Sequence, residues 1–496
     1  MKRRTFLVGS ATAALCQQLL RDRAWASIPL PDTMTATRLD GSTVLLNRAT
    51  VADLRDGLRG PLLFRGEAGY DEARKVWNAS IDRRPALIAR CTGAADVSRV
   101  LQFASAHRLL VAVRGGGHSA SGASVCEGGL MLDLSLMQSV RVDPRRATAR
   151  VEPGVLLGAV DRETLSFGLV TTTGMVSHTG AAGLTLGGGC GRLARRFGLA
   201  VDNVTGVDIV SPDGVLRAAS AAENSDLHWA VRGGSGNFGV VTSFEYRLHP
   251  FEPLVFGGTI QFSYKDARDV LRFFAEFVAD APDSLWATVN LGDTESKNRD
   301  LTIDICFSGE AAAGEKLLKP LRRFRKPLRD EIRLVDYRKL QTSLDVEGRH
   351  GLLRYQTSGY LLRLENGLID AVLAQFEDTD AMPLRVLIMS WGGGQIARIP
   401  REATAYWHRD VRWNVNVAAS WTDPAENDSR KQRVRDAWKA LEPMTHGFYA
   451  NSITGRGSDA MRGTYGANYD RLARIKRIYD PNNQLRMNAN VLPASS

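Results

Sequence analysis

What most constrains the fold of this chain is where its glycines fall. Three short runs concentrate them: Arg114-Gly115-Gly116-Gly117-His118-Ser119, the stretch from Gly183 to Gly191 that includes Gly187, Gly188 and Gly189, and Arg232-Gly233-Gly234-Ser235-Gly236 with Gly239 beyond it. A glycine inside a helix costs about 1 kcal/mol relative to alanine, so this density argues against regular secondary structure at all three places. It suits turns that need positive φ, or a backbone brought against a bulky group. Successive amide N–H groups in such a turn form an anion-binding concavity. In the first run Arg114 adds a cation and His118 an imidazole, and a pyrophosphate fits that combination. The alternative is a tight turn with a hydrogen-bonded structural histidine. A triple glycine followed by His118, Ser119 and Gly122 weighs towards a ligand.

The third run contains G-x-G-x-x-G at Gly234, Gly236 and Gly239. It follows a helical pattern (ENSDLHWAV) and precedes a strand pattern (VVTSFEYRL). The dinucleotide fingerprint demands the reverse order, strand then helix, so a nicotinamide cofactor is excluded on context.

Periodicity supplies the rest of the architecture. ALIAR and LLVAVRG read as buried strands around a helix with apolar residues at helical spacing. LLGAVDRETLSFG is an amphipathic helix ending at glycine, and VDIVSPDGVLRAAS is a hairpin turning at Pro-Asp-Gly. After Phe251 the pattern becomes β-α-β-β-α-β, an antiparallel sheet backed by helices, and continues through LRVLIMSWGGG and VRWNVNVAASW. The last segment is a helix stopped by Asp-Pro-Asn-Asn.

The chain opens MKRRTFLVGSATAALCQQLLRDRAWAS, with paired arginines, a moderately apolar stretch and a small-x-small site at Ala24-Trp25-Ala26. This reads as a twin-arginine-type export signal over residues 1–26 and implies a periplasmic or secreted protein. The formal charge of +10 falls to +6 without that segment, which holds five basic residues and one acidic. The remaining excess is spread along the chain, so nucleic-acid binding is not expected. No later apolar run is long enough to span a bilayer. Cys91, Cys126, Cys190 and Cys306 form neither a CxxC pair nor a metal spacing, so free thiols and no metal are expected.

The blocks YDEARKVWNASIDRRPALIARC, RGGGHSASG, GLTLGGGCGRLARRFGLAVDNV, WAVRGGSGNFGVVTSFEYRLHP and NYDRLARIKRIYDPNNQLR, in this order from about Tyr70 to Asn490, resemble the FAD-linked oxidases of the berberine bridge enzyme-like group, within the vanillyl-alcohol oxidase superfamily. The resemblance implies an α+β fold: a PCMH-type FAD-binding domain of two α+β subdomains, built from residues 27–250 (core about 82–250) and 446–496, with a substrate domain over residues 251–445. It implies FAD carried covalently by His118 through the flavin 8α-methyl. The implied contacts of the cofactor are Arg114, Gly115, Gly116, Gly117, Ser119 and Gly122 in the first run. Along the second run they are Thr173, Gly174, His178, Gly180, Gly183, Leu184, Gly188, Gly189 and Gly191, with Asn203, Val241 and Asn468 elsewhere.

Some members of the group add a cysteinyl bond from a position where this chain has Val176. Cys190 lies beyond the glycine run and reads as a packed thiol, so a single link is expected. The implied chemistry is hydride transfer from a C–OH or C–N carbon of a small molecule to flavin N5, with molecular oxygen as acceptor giving hydrogen peroxide. A dehydrogenase with another acceptor, or a non-catalytic flavin- or ligand-binding protein, is the alternative. Tyr469, from the Asn-Tyr pair before the last helix, is the first candidate base and Tyr465 the second. Packing of the helix start is the competing role for Tyr469. Tyr360, Arg363, Trp391, His408 and Arg409 are candidates for the pocket wall.

Overall fold

The computed structural model describes residues 29–293, 299–378, 382–452 and 458–495. The expected export signal at residues 1–26 lies outside the described residues. Three sheets organise the chain. In the first, Leu87–Arg90, Leu130–Asp133 and Val111–Arg114 run parallel, with Leu62–Leu63 antiparallel at the edge. Helix Ala94–Ala106 connects two of these strands. It buries Val97, Val100, Leu101 and Ala104, a stripe at helical spacing that holds it on the sheet. The strand Val111–Arg114 delivers the chain directly into the triple-glycine turn.

The second sheet is antiparallel, in the order Leu216–Ser220, Val204–Val210, Val240–Arg247, Thr148–Val151 and Val140–Asp143. Its first hairpin turns at Pro212-Asp213-Gly214 as read from sequence: Gly214 has φ +79° and the Asp213 carboxylate accepts from the Val215 amide at 3.0 Å. The third glycine run lies between helix Ser225–Val231 and strand Val240–Arg247, so the order that excluded a nicotinamide fingerprint is present in the fold. The C-terminal helix Tyr469–Tyr479 packs on this layer, with Tyr469, Leu472 and Ile475 in one core with Phe238, Val241 and Phe244. Lys476 is fully buried on its inner face. It pairs with Asp480 at 2.8 Å and donates to the carbonyls of Asn237 and Leu485. That one ammonium ties the last segment of the chain to the third glycine run.

The third sheet has eight strands. Its main path runs Arg329–Asp330, Leu254–Ser263, Arg299–Phe307, Leu285–Asp293, Arg385–Met389, Trp413–Trp421 and Leu353–Leu361, and Arg333–Asp336 also pairs with Leu254–Ser263. Helices Ala267–Ala279, Ala311–Phe324, Asn366–Ala374 and Asn427–Leu441 cover one face. Alternation along Leu285–Asp293 shows the division: Leu285, Ala287, Val289 and Leu291 enter the helix-side core. Trp286 turns the other way, into a cluster with Leu193, Leu199, Tyr406 and Tyr449. That second face lies against the segment that follows the second glycine run.

Two helices run against their local sequence signals. Ala311–Phe324 continues through Pro320, a residue that ordinarily kinks or breaks a helix interior. Leu318 and Leu321, both buried on the sheet, hold the turn on either side of the proline. Asn427–Leu441 is strongly polar and was not read as a helix. It is held by Val434, Ala437, Trp438 and Leu441, a narrow stripe of four residues.

A buried network joins the second and third layers. Asp161, on helix Leu157–Leu165, accepts from Thr173 Oγ1 at 3.0 Å and from Gln341 Nε2 at 3.2 Å. The same Gln341 accepts from Arg192, whose guanidinium also pairs with Asp304 at 2.8 Å. Burial raises the Asp161 pKa to about 6. The folded chain therefore favours its protonated form. The resulting stabilisation is complete below the unfolded carboxyl pKa of about 4 and is lost as pH rises through 6. Asp161→Asn removes the titration and keeps a side chain that hydrogen-bonds. We expect the variant to lose this part of the fall in melting temperature between pH 4.5 and 7.5, and to match or exceed the parent at pH 8, as measured by thermal melts across pH.

No helix among the described residues is long and apolar enough to cross a membrane.

Candidate functional site

The triple-glycine turn opens onto a cavity of about 360 Å³, within the range of roughly 300–1,000 Å³ typical of cofactor and ligand sites. Gly115, Gly116, Gly117, His118 and Ser119 form one wall, and Gly180, Gly183, Leu184 and Val241 contribute from the second and third runs. Gly117 has φ +67°, which a side chain would resist. Gly116 and Gly180 pass backbone against backbone. A Cβ on Gly116 would lie 2.5 Å from the Gly180 Cα. Gly116→Ala is therefore expected to push the two walls of the cavity apart. Overpacking of this kind costs about 1–3 kcal/mol, and we expect the variant to be purified with several-fold less flavin per chain than the parent, read as the flavin-to-protein absorbance ratio.

His118 is fixed by a parallel stack on Trp77, ring centroids 4.4 Å apart. Its Nε2 is buried and has no hydrogen-bond partner. Burial first, then the nearby His178, His350 and Arg354, lower its pKa to about 3, so the imidazole is neutral at physiological pH and its nitrogen lone pair is free. Ser124 Oγ and Asn488 Oδ1, from two other residues of the lining, are also buried without partners. Unsatisfied polar atoms around a cavity call for polar partners, from a ligand or from ordered water.

FAD fits this donor set. The amides of Gly115–Gly117 suit its pyrophosphate, Val111, Val113, Leu134 and Val240 offer apolar walls to its ring systems, and His118 presents a free nitrogen. Among the described residues, no group of three or more His, Cys, Asp or Glu could hold a metal ion.

Several residues read from sequence stand behind the cavity instead of lining it. Arg114 donates to the Ala73 carbonyl and underpins Gly117, so the anion-binding role falls to the amides alone. Gly122, with φ +73°, packs on Ile81. Thr173 and Gly174 are bound to Asp161 and Gln341, and Gly191 sits against the Thr173 carbonyl. Gly188 packs on the rings of Tyr406 and Tyr449, and the Gly189 amide donates to Tyr449. Asn203 bridges Phe197, Leu199 and His249. Asn468 donates to the carbonyls of Thr404 and Ala405. His178 lies beside His118, their ring centroids 5.2 Å apart.

Neither tyrosine singled out as a base lines the cavity. The Tyr465 hydroxyl donates to the Ala489 carbonyl at 2.7 Å, and the Tyr469 hydroxyl accepts from the Leu492 amide at 3.4 Å. Both rings belong to the core of the second layer, which is the packing role weighed against catalysis. The phenol at the cavity is Tyr449. Its oxygen accepts from the Gly189 amide at 3.0 Å and from Asn451 Nδ2 at 2.9 Å, so its own hydrogen remains free to be donated. Its ring meets Trp391 edge-on at 4.7 Å. Trp391 in turn donates to Tyr406, which shares a hydrogen bond with Tyr360.

Cys190 is buried in the same cluster as Tyr360, Tyr406 and Tyr449. Burial pushes its thiol well up, so it is a packed, protonated thiol. His408 bonds to the Gly463 carbonyl, Arg409 pairs with Asp202, and Arg363 is exposed.

The residues that sequence reasoning missed are Trp77, Gln356, Tyr449, Asn451 and the strip Leu485, Met487, Asn488 and Ala489, all in the cavity wall.

Residues 85–220 match the family model described as FAD binding domain, and residues 448–492 match the one described as berberine and berberine like. An FAD-linked oxidoreductase of Dictyostelium discoideum is 28% identical over 464 residues, covering 93% of this chain and 99% of that protein. The (R)-6-hydroxynicotine oxidase of Paenarthrobacter nicotinovorans is 28% identical over 459 residues, covering 88% of this chain and 98% of that enzyme. Among solved structures, the 6-hydroxy-D-nicotine oxidase of Arthrobacter nicotinovorans superposes with a TM-score of 0.82 at 28% identity, covering 88% of this chain and 98% of that one. The glycine-lined cavity, the mixed α+β layers and both family matches agree: this chain is an FAD-linked oxidoreductase that carries an FAD binding domain and a berberine-like segment.

Proposed function

We propose that this protein is an exported oxidase that carries FAD on His118 and oxidises a C–OH or C–N carbon of a small molecule, with Tyr449 as the proton-transferring group. One observation carries the reading: among the described residues of the cavity lining, His118 and Tyr449 are the two with titratable side chains. One is held neutral with a free nitrogen; the other is a phenol with a free hydrogen. Residues 27–250 and 446–496 are proposed to hold the cofactor. In support, every lining residue except Gln356 falls between Trp77 and Val241 or between Tyr449 and Ala489. Residues 251–445 are proposed to face the substrate.

FAD, when bound, supplies a two-electron acceptor for hydride from the substrate carbon and a route for those electrons to oxygen. Tyr449, in its phenolate form, takes the substrate proton and becomes the phenol. The Gly189 amide and Asn451 stabilise that phenolate beforehand by the two hydrogen bonds they donate to its oxygen. The aromatic cluster of Tyr360, Trp391 and Tyr406 keeps water from that side. The substrate is proposed to be a small alcohol, sugar or amine. The related hydroxynicotine oxidase supports the amine branch. The leader of residues 1–26 is proposed to send the chain to the periplasm or beyond.

The test is anaerobic mixing of the purified protein with sugars, alcohols, cyclic amines and phenolic metabolites. A substrate bleaches the visible flavin absorbance, and admitted air restores it with one equivalent of hydrogen peroxide. Bleaching that air does not reverse would replace oxygen with another acceptor. A flavin that none of these classes bleaches would remove the oxidase assignment.

A further inference from the structure

Three imidazoles meet beside the triple-glycine turn, behind the cavity wall, and the proposed reaction with substrate uses none but His118. His118 comes from the glycine turn, His178 from the segment before the second glycine run, and His350 from the loop ahead of strand Leu353–Leu361. Ring centroids are 5.2 Å apart for His118 and His178, 5.1 Å for His178 and His350, and 6.0 Å for His118 and His350.

Both ring nitrogens of His178 are buried and neither has a hydrogen-bond partner. Buried polar atoms are rarely left so, and leaving them costs about 1–3 kcal/mol each. The arrangement is nonetheless held firmly. Ser177, next to His178, binds the Asp345 carboxylate through its amide at 2.8 Å and its hydroxyl at 2.5 Å. Trp77 fixes His118 from one face and donates to the Gly348 carbonyl at 2.6 Å. Arg354 lies 4.1 Å over the Trp77 ring and donates to the Arg349 carbonyl at 2.7 Å. The loop bearing His350 is thus pinned over His118, and His350 itself is exposed. The cluster leads from a buried nitrogen, through an unpartnered imidazole, to solvent.

We propose that His178 is a positioning and proton-accepting residue for attachment of the flavin to His118, and that His350 passes the proton on to solvent. The proposal rests on the covalent reading given above. Attachment forms a bond between a ring nitrogen of His118 and the flavin 8α carbon. It breaks one C–H bond of that methyl group and the N–H bond of the imidazole. Two electrons enter the flavin ring, and molecular oxygen removes them together with two protons as hydrogen peroxide. His178, its ring centroid 5.2 Å from that of His118, is near enough for one bridging water to carry the proton, and histidine is suited to relay protons near neutral pH.

The test follows bond formation, not substrate turnover. Chain from riboflavin-limited expression is mixed with FAD in air and quenched in acid at intervals, and the flavin precipitating with the protein is measured. Wild type is expected to become fully labelled. His178→Ala is expected to bind FAD but to attach it at least tenfold more slowly, with added imidazole restoring much of the rate, a rescue that a purely structural role would not give. His178→Gln, which keeps a polar side chain in place, is expected to show the same slowing without rescue. His350→Ala, on the surface, is expected to slow attachment about threefold. Attachment at the wild-type rate in either His178 variant overturns this proposal alone. Release of all flavin from wild type into acid overturns the covalent reading together with it.

Discussion

Tyr449→Phe is expected to lower turnover by about two to three orders of magnitude, within the range a positioned acid or base contributes, while the protein stays yellow and folded. The phenol oxygen accepts from Gly189 and Asn451, and no carboxylate, lysine or cysteine stands among the described lining residues to replace it. Burial pushes the phenol above its ordinary range near 10, so the proton-accepting form becomes more abundant as pH rises. The parent enzyme should therefore gain kcat/KM steadily into the alkaline range, and the phenylalanine variant should show a flat residual rate there. Tyr469→Phe keeps the ring in the core of the second layer under Arg462 and removes a hydroxyl bonded to the Leu492 amide, so it should leave kcat within about threefold of the parent. Steady-state peroxide production from pH 6 to 10 in all three proteins checks both statements. A Tyr469 variant slower than the Tyr449 variant would return the base to the position first read from sequence.

The largest stability effect is expected at Asp202. Its two carboxylate oxygens accept from the two terminal nitrogens of Arg409, each at 2.8 Å, and both side chains are 2% exposed. Asp202 also accepts from the Leu199 amide, closing the turn Ala200–Asn203. The residues of that turn donate back to the carbonyls of Gly189 and Gly188, so the pair supports the backbone that holds Tyr449. Removing one partner of a buried pair costs about 3–5 kcal/mol, because the other charge is left without compensation. Asp202→Ala is expected to lose that much in urea unfolding and to lose bound FAD with it. Asp202→Leu combined with Arg409→Met removes both charges and should recover most of the loss. No recovery in the double variant would mean that the pair stabilises the fold beyond the mutual cancellation of two buried charges.

The sequence carried the scaffold because its signals are local. The helix between two apolar strands, the Pro-Asp-Gly hairpin and the helix stopped by Asp480 and Pro481 are each settled within a few residues of chain. The three glycine runs marked the cavity because glycine density has few other physical uses. The choice of tyrosine was not local. Tyr449, Tyr465 and Tyr469 sit within twenty-one positions of each other, and only the packing of helices Ser458–Tyr465 and Tyr469–Tyr479 into one core with Phe238 and Val241 turns two of them inward. Arg114 misled for the opposite reason. A cation beside a glycine nest suggests phosphate, but the Arg114 guanidinium donates to the Ala73 carbonyl and lies under Gly117, where it serves the turn itself. Helix Asn427–Leu441 escaped because four buried positions among ten polar or charged neighbours leave a weak periodic signal, although Val434, Ala437, Trp438 and Leu441 have the spacing of one helical face.

The central claim is a flavin bonded to one imidazole beside a triple-glycine turn. Acid-denatured, proteolysed protein, mapped by mass analysis of its flavin-bearing peptide, tests it most directly. The account predicts a single flavin peptide spanning the Arg114–Gly122 segment, modified at His118 and absent from His118→Ala. A flavin recovered wholly in the acid supernatant, or carried by the peptide that contains Cys190, would contradict it.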